Sequence, residues 1–300
     1  MLKSTKILLI TAGVLVGLGL IIAGIAMGIS RIKYGGVANM YDSANDSAEY
    51  VRQTMDIKEH IDSLEVSEVS SDINILPSDR DMVYVEYTDG PDYMNEIEVD
   101  GNTLKIRFKN RVPWYHKVGW FNIGSFFGGS SHEIEPVDIY LPSAVYDEVK
   151  LTTTSGNITV AGGLECDELS MVAVSGEIKA ENIKADDKVS IDATSGEIDL
   201  KNTETGGLDV NTVSGSITTE SVKARKTDID TTSGDITLDG FDCEDTEIDT
   251  TSGDIRIYAV GDVNVSVDTV SGDVDIENNS PSGHPMNIDT TSGDITVRQK

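Results

Sequence analysis

From about residue 149 onward, apolar and polar positions alternate, and the alternation restarts around a recurring Ser-Gly pair. The pairs begin at Ser155, Ser175, Ser195, Ser214, Ser233, Ser252, Ser271 and Ser292, at spacings of 19–21 residues. Counting from each serine, position −4 is always apolar (Leu151, Met171, Ile191, Val210, Ile229, Ile248, Val267, Ile288). Position −2 holds only Thr or Ala, and position −3 is largely Asp or Asn. An alternation of period two is the signature of a strand with one buried face. Beyond the pair the inward positions become odd: +3 is Ile158, Ile178, Ile198, Ile217, Ile236, Ile255, Val274 and Ile295. A flat strand cannot exchange faces in this way, so Ser-Gly marks a corner at which glycine supplies an uncommon backbone angle.

Each repeat therefore contains two or three short strands and has no room for a helix. One repeat cannot bury its own apolar row, whereas stacked repeats can. The expected fold is all-β: a parallel β-solenoid of 19–21-residue coils, with the +3 isoleucines in one buried column and successive Ser-Gly pairs one coil apart. Eight coils at ~4.8 Å give a rod of ~38 Å. A β-propeller needs blades of about 40–45 residues and fits less well. In this arrangement the −2 threonines face inward and bond along the stack, and position −3 points to water. Cys166 and Cys243 occupy one column four coils apart, ~19 Å, too far for a disulfide.

Upstream the pattern degenerates. Residues 64–87 alternate and contain an echo of the repeat at Ser71-Asp72-Ile73, and 97–108 reads as a hairpin through Asp100-Gly101. Residues 136–142 lead towards the regular coils. The expected organisation is a membrane anchor at 1–36, a linker or stalk at 37–60, a degenerate β region and N-terminal cap at 61–148, and regular solenoid at 149–300. Ile7 to Ile29 is an uncharged run of 23 residues, ~34 Å as a helix, which suffices to span a ~30 Å hydrocarbon core. It exceeds the apolar segment of a cleaved signal peptide and predicts an N-terminal transmembrane helix. Lys3 and Lys6 precede it and Arg31 and Lys33 follow, so charge alone does not orient it.

The formal net charge is −29, with 52 acidic and 23 basic residues. That excludes a nucleic-acid binder, which needs a basic footprint. The acidity has two outward columns: Asp192, Asp230, Asp249, Asp268 and Asp289 at −3, and Glu177, Glu197, Asp235, Asp254, Asp273 and Asp294 at +2. Stacked like charges repel, and Ca²⁺ prefers such hard oxygen ligands, so a cation-binding rod is one alternative; solvated turn aspartates are the plainer reading. The repeated serines have no histidine in the pattern to activate them, the cysteines lack zinc spacing, and there is no phosphate loop. No cofactor is expected. A carbohydrate-active β-helix enzyme is a further alternative, but no coil is marked by extra basic or histidine residues. One stretch stands apart: 111–131 holds Trp114, Trp120, Phe121, Phe126 and Phe127, flanked by Lys105, Arg107, Lys109, Arg111 and Lys117. It reads as a cap on the rod or as a contact with a membrane surface or protein partner.

The apolar span, "LEVSEVSSDINI" at 64–75, the junction "IYLPSAVYDEVKLTTTSGNI" and the serial "TTSGDI" coils together resemble the bacterial putative-adhesin family of β-strand repeats, which includes LiaG-like membrane-anchored proteins. The likeness covers roughly 60–300 and specifies fold rather than chemistry. It implies a single-pass protein of the cell membrane with its C-terminal body outside the cytoplasm. It also implies a non-enzymatic role as an interaction scaffold in adhesion or cell-envelope stress, with a protein or envelope partner.

Overall fold

The computed structural model describes residues 50–91, 93–110, 135–277 and 279–300. The segments expected to hold the membrane helix, most of the linker and the aromatic insertion, including Trp114, Trp120, Phe121, Phe126 and Phe127, lie outside the described residues. Among the described residues there is no helix, and so none long and apolar enough to cross a membrane.

The N-terminal part comprises β1 (Val51–Asp56), β2 (Ser63–Ser67), β3 (Ile73–Ser78), β4 (Tyr84–Asp89), β5 (Tyr93–Asp100), β6 (Thr103–Asn110), β7 (Val137–Pro142) and β8 (Val145–Thr153). The regular coils are long strands that bend around corners: β9 (Ile158–Ser175), β10 (Ile178–Ser195), β11 (Ile198–Ser214), β12 (Ile217–Ser233) and β13 (Ile236–Ser252). The C-terminal coils are β14 (Ile255–Ala259), β15 (Val263–Ser271), β16 (Val274–Ile276), β17 (His284–Ser292) and β18 (Ile295–Gln299). From β8 onward every pairing is parallel, with repeat matched to repeat, so Ile178 lies beside Ile158 and Ile198, and Ser195 beside Ser175 and Ser214. This is the expected parallel β-solenoid.

The core is a set of stacked columns. Ile158, Ile178, Ile198, Ile217, Ile236, Ile255 and Ile295 are all at most 1% exposed. Each such side chain contributes about 1.5–3 kcal/mol of burial. The Ser71-Asp72-Ile73 echo is a true coil, because Ile73 pairs with Ile158 and β2 runs parallel to β8. Cys166 and Cys243 are buried and free, in the column Cys166–Ala185–Thr205–Ala224–Cys243.

A second corner completes each coil. Asn182, Asn202, Ser221 and Gly240 occupy one column with φ of 58, 48, 58 and 63°. Left-handed backbone is where Asn and Gly are tolerated, and the Asn202 side-chain amide donates to Asn182 Oδ1 at 3.1 Å.

The stacking order departs from the chain order. β13 pairs with β17, not β15, and β15 lies outside β17; likewise β18 lies between β14 and β16. The expectation of Ser-Gly pairs in chain sequence fails for the last two coils. The inserted coil carries Met286, Ile288, Ile295 and Val297, all at most 2% exposed, whereas the outer one carries Val267, Val274 and Ile276. Covering the bulkier side chains from both sides removes more apolar area from water.

The other end is closed by strands running the opposite way. β4 pairs antiparallel with β7 and β1 antiparallel with β4, while β5–β6 is the expected hairpin through Gly101. Residues 51–56 are thus a strand rather than linker, and Ile57 and Ile61 already belong to the core. β7 does not lead serially into the regular coils; it pairs with β3 on the outer side of the first coil.

Candidate interaction surfaces

At the Ser-Gly corner the coils approach so closely that only glycine fits. A Cβ on Gly234 would lie 2.1 Å from the Gly215 carbonyl oxygen, and the same contact recurs from Gly156 to the C-terminal coils. The +2 residues beside this column stitch neighbouring coils. The backbone N–H groups of Asn157, Glu177, Asp254, Asp294 and Asp273 donate to the side-chain oxygens of Asp72, Asn157, Asp235, Asp254 and Asp294, at 2.7–3.1 Å. The Asp294 amide, aided by Arg256, holds the Asp254 carboxyl below the usual carboxylate range. Short Asp and Asn reach this amide; at Glu177 and Glu197 no such bond forms. The +2 column thus has a structural role in joining coils.

The −3 column is less exposed than expected. In stacking order it reads Thr152, Val172, Asp192, Asn211, Asp230, Asp249, Asp289, Asp268, and Asp249 is only 4% exposed. Asn211 breaks the like-charge stack by donating to Asp192 at 3.2 Å and Asp209 at 2.9 Å. Burial, and then the charge of Asp209, push the Asp192 carboxyl up against the opposing pull of Asn211 and Lys188. Among the described residues, no three or more His, Cys, Asp or Glu side chains are grouped to hold a metal ion.

Nor do the inward threonines bond along the stack. Thr231, Thr250, Thr290 and Thr269 each donate to the carbonyl of their own coil's corner serine, at 3.2–3.4 Å. The bond therefore shapes the corner within each coil. The same inward column holds an unexpected residue at its first position, Glu68, which is fully buried with neither carboxyl oxygen in a well-formed hydrogen bond. Desolvation pushes its pKa up to about 8, although Ser71 and the Val69 amide offset part of the effect.

The N-terminal end holds a cluster of ion pairs. Arg52 on β1 reaches Glu86, Glu135 and Asp138, and Asp138 also accepts from Asn74 at 2.7 Å. Lys105, Arg107 and Lys109, expected as basic flanks of the aromatic segment, pair across the hairpin with Asp100, Glu98 and Glu96. They hold β5 to β6 rather than forming a free basic patch. Strand β1 and the strands that border the aromatic insertion, β6 and β7, all lie at this end of the rod.

Nucleophilic chemistry finds no support in the described residues. The repeated serines lie at exposed corners, with no histidine beside them in the column, and His60 pairs with Asp62 at 2.8 Å. Burial pushes the Cys166 thiol up to about 12, which leaves it protonated and inert.

A rod with a filled core, glycine-locked corners and charged outer faces defines a class: the parallel β-solenoid proteins. The chain belongs to the Toastrack DUF4097 family, whose profile matches residues 61–300. Among solved structures, a "putative adhesin from Parabacteroides distasonis" is similar at 17% identity and a TM-score of 0.50, over 84% of this chain and 98% of that one. A "putative adhesin" from Bacteroides fragilis matches at 12% identity and a TM-score of 0.43, over 84% and 97%. A "putative lipid binding protein" from Parabacteroides distasonis matches at 18% identity and a TM-score of 0.45, over 81% and 96%. At these identities the likeness shows the fold alone. No curated protein matches the chain in sequence.

Proposed function

We propose that this protein is a non-enzymatic, membrane-anchored surface protein whose solenoid presents an interaction surface, in adhesion or in the response to cell-envelope stress. The observation that carries the reading is the filled rod: its side chains close into continuous columns, and its repeated polar residues serve corners and coil-to-coil bonds. Such a rod offers a long rigid surface, and function on a fold of this kind is carried by what that surface presents. The uncharged run from Ile7 to Ile29 is the anchor, and the body lies outside the cytoplasm. The position of β1, β6 and β7 supports placing the N-terminal end nearest the bilayer, with Trp114, Trp120, Phe126 and Phe127 at the membrane surface or against a neighbouring membrane protein. Because Lys105, Arg107 and Lys109 are paired, aromatic burial rather than charge drives that contact.

The test is protease protection in intact cells carrying the full chain. Digestion of the body from outside, with the anchor recovered in the membrane fraction, is the expected result. A body that is protected until the cells are opened would overturn it.

A further inference from the structure

The two ends of the rod differ. The N-terminal end is closed by β1, β4 and β5, but the C-terminal end stops in mid-pattern. β15 and β16 each have a neighbour on one side only. The loop after β16 covers only the start of β15: Ser280 donates its amide to the Val263 carbonyl, and the Asn279 side chain bonds both the amide and the carbonyl of Val265. From Ser266 to Ile276 no described residue pairs with the outer edge. The buried columns also end in the open. Val274 is 44% exposed where its counterpart Ile295 is 1%. The +2 ladder ends there too. Each bonded carboxylate receives an amide from the next coil, and Asp273, the last, receives none.

We infer that this end is a strand-accepting surface for an extended segment of a partner polypeptide, one with alternating β-branched residues, a glycine at the corner and basic side chains. Three constraints define the occupant. Asp273 is placed to accept an amide from a parallel strand in coil register, as Asp294 accepts the amide of Asp273 at 2.9 Å. A Cβ on Gly272 would lie 2.1 Å from the Gly293 carbonyl; by the same geometry a residue above Gly272 must be glycine. The edge carries Asp268, Asp273, Asp275 and Glu277, and Arg298 pairs with both Asp275 and Glu277. A second copy of this chain would bring a net charge of −29 and the same carboxylates, so charge favours a basic partner. Strand addition supplies affinity through the backbone, and the side-chain columns and charge supply specificity.

The inference rests on the interaction-scaffold reading but is tested apart from membrane placement. The full chain in detergent micelles is titrated with a fluorescein-labelled peptide spelling residues 284–299 with D289K and D294K. Saturable binding is expected, weakened about tenfold by Val274→Asp or Asp273→Lys in the protein, by Gly293→Val in the peptide, or by added salt. Both protein substitutions lie on the open end, and unchanged melting curves verify that the rod stays folded. Absence of saturable binding overturns the inference, as does binding indifferent to Val274→Asp and to the peptide glycine. Sedimentation showing end-to-end dimers that Val274→Asp dissolves would assign the edge to a second copy and equally overturn it.

Discussion

Gly293 stacks directly on Gly253, forty residues earlier, while Gly272, between them in sequence, lies one layer further out. The last segment of the chain is thus held between two coils made before it. A coil gripped on both sides cannot fray as a free terminus does.

That order is open to a direct cross-linking test. Ser252 and Ser292 are register partners, so their Cα atoms are about 5 Å apart, within disulfide range. With Cys166 and Cys243 changed to alanine, Ser252→Cys with Ser292→Cys should oxidise to an intramolecular bridge seen by mass spectrometry. Ser252→Cys with Ser271→Cys should not, because the Ser292 coil separates them. The reverse result would restore the chain order.

The glycine column should tolerate no side chain. Gly234→Ala places a methyl group 2.1 Å from the Gly215 carbonyl oxygen, in a stack with no slack along its axis. A loss of about 3 kcal/mol or more is expected from denaturant unfolding followed by circular dichroism. A loss below ~1 kcal/mol would show that the coils can separate at that corner.

At the second corner the opposite change should help. Ser221 sits at φ 58° in a column that elsewhere uses Asn or Gly. Ser221→Gly removes that strain and should stabilise by about 0.5–1 kcal/mol, while Ser221→Val should cost more than this. A rise in Tm for the first and a fall for the second is the expected pair of outcomes.

Glu68 makes stability depend on pH. Its folded pKa of about 8 lies above the unfolded value near 4.5, so between these values the folded chain keeps a proton that the unfolded chain releases. Its contribution is therefore greatest below pH ~4.5 and is lost as pH rises through about 8. Glu68→Gln should abolish this part of the profile and make the protein more stable than the parent above pH 8. Parallel melting curves for parent and variant across that range would remove Glu68 as the cause.

Much of this is written in the alternation itself. A period of two, a small residue at −2, Ser-Gly and an isoleucine at +3 define one coil, because inward and outward positions follow from backbone geometry over a few residues. The separation of Cys166 from Cys243 follows in the same way, since a column needs only the repeat length. The second corner left a fainter trace, Asn182, Asn202, Ser221 and Gly240 at a fixed offset, which is visible once φ is known. Tertiary structure alone decided the rest. Coils ending in "TTSGDI" and "TVSGDV" present nearly the same edge, so local pattern does not rank them. What ranks them is the area each buries when covered on both sides, and that places Ile288 and Ile295 within and leaves Val274 at the open end. The antiparallel cap, the Asp-to-amide ladder and the burial of Asp249 and Glu68 likewise depend on which strands become neighbours. Neighbours in a solenoid are chosen by the whole stack, and no single repeat contains that information.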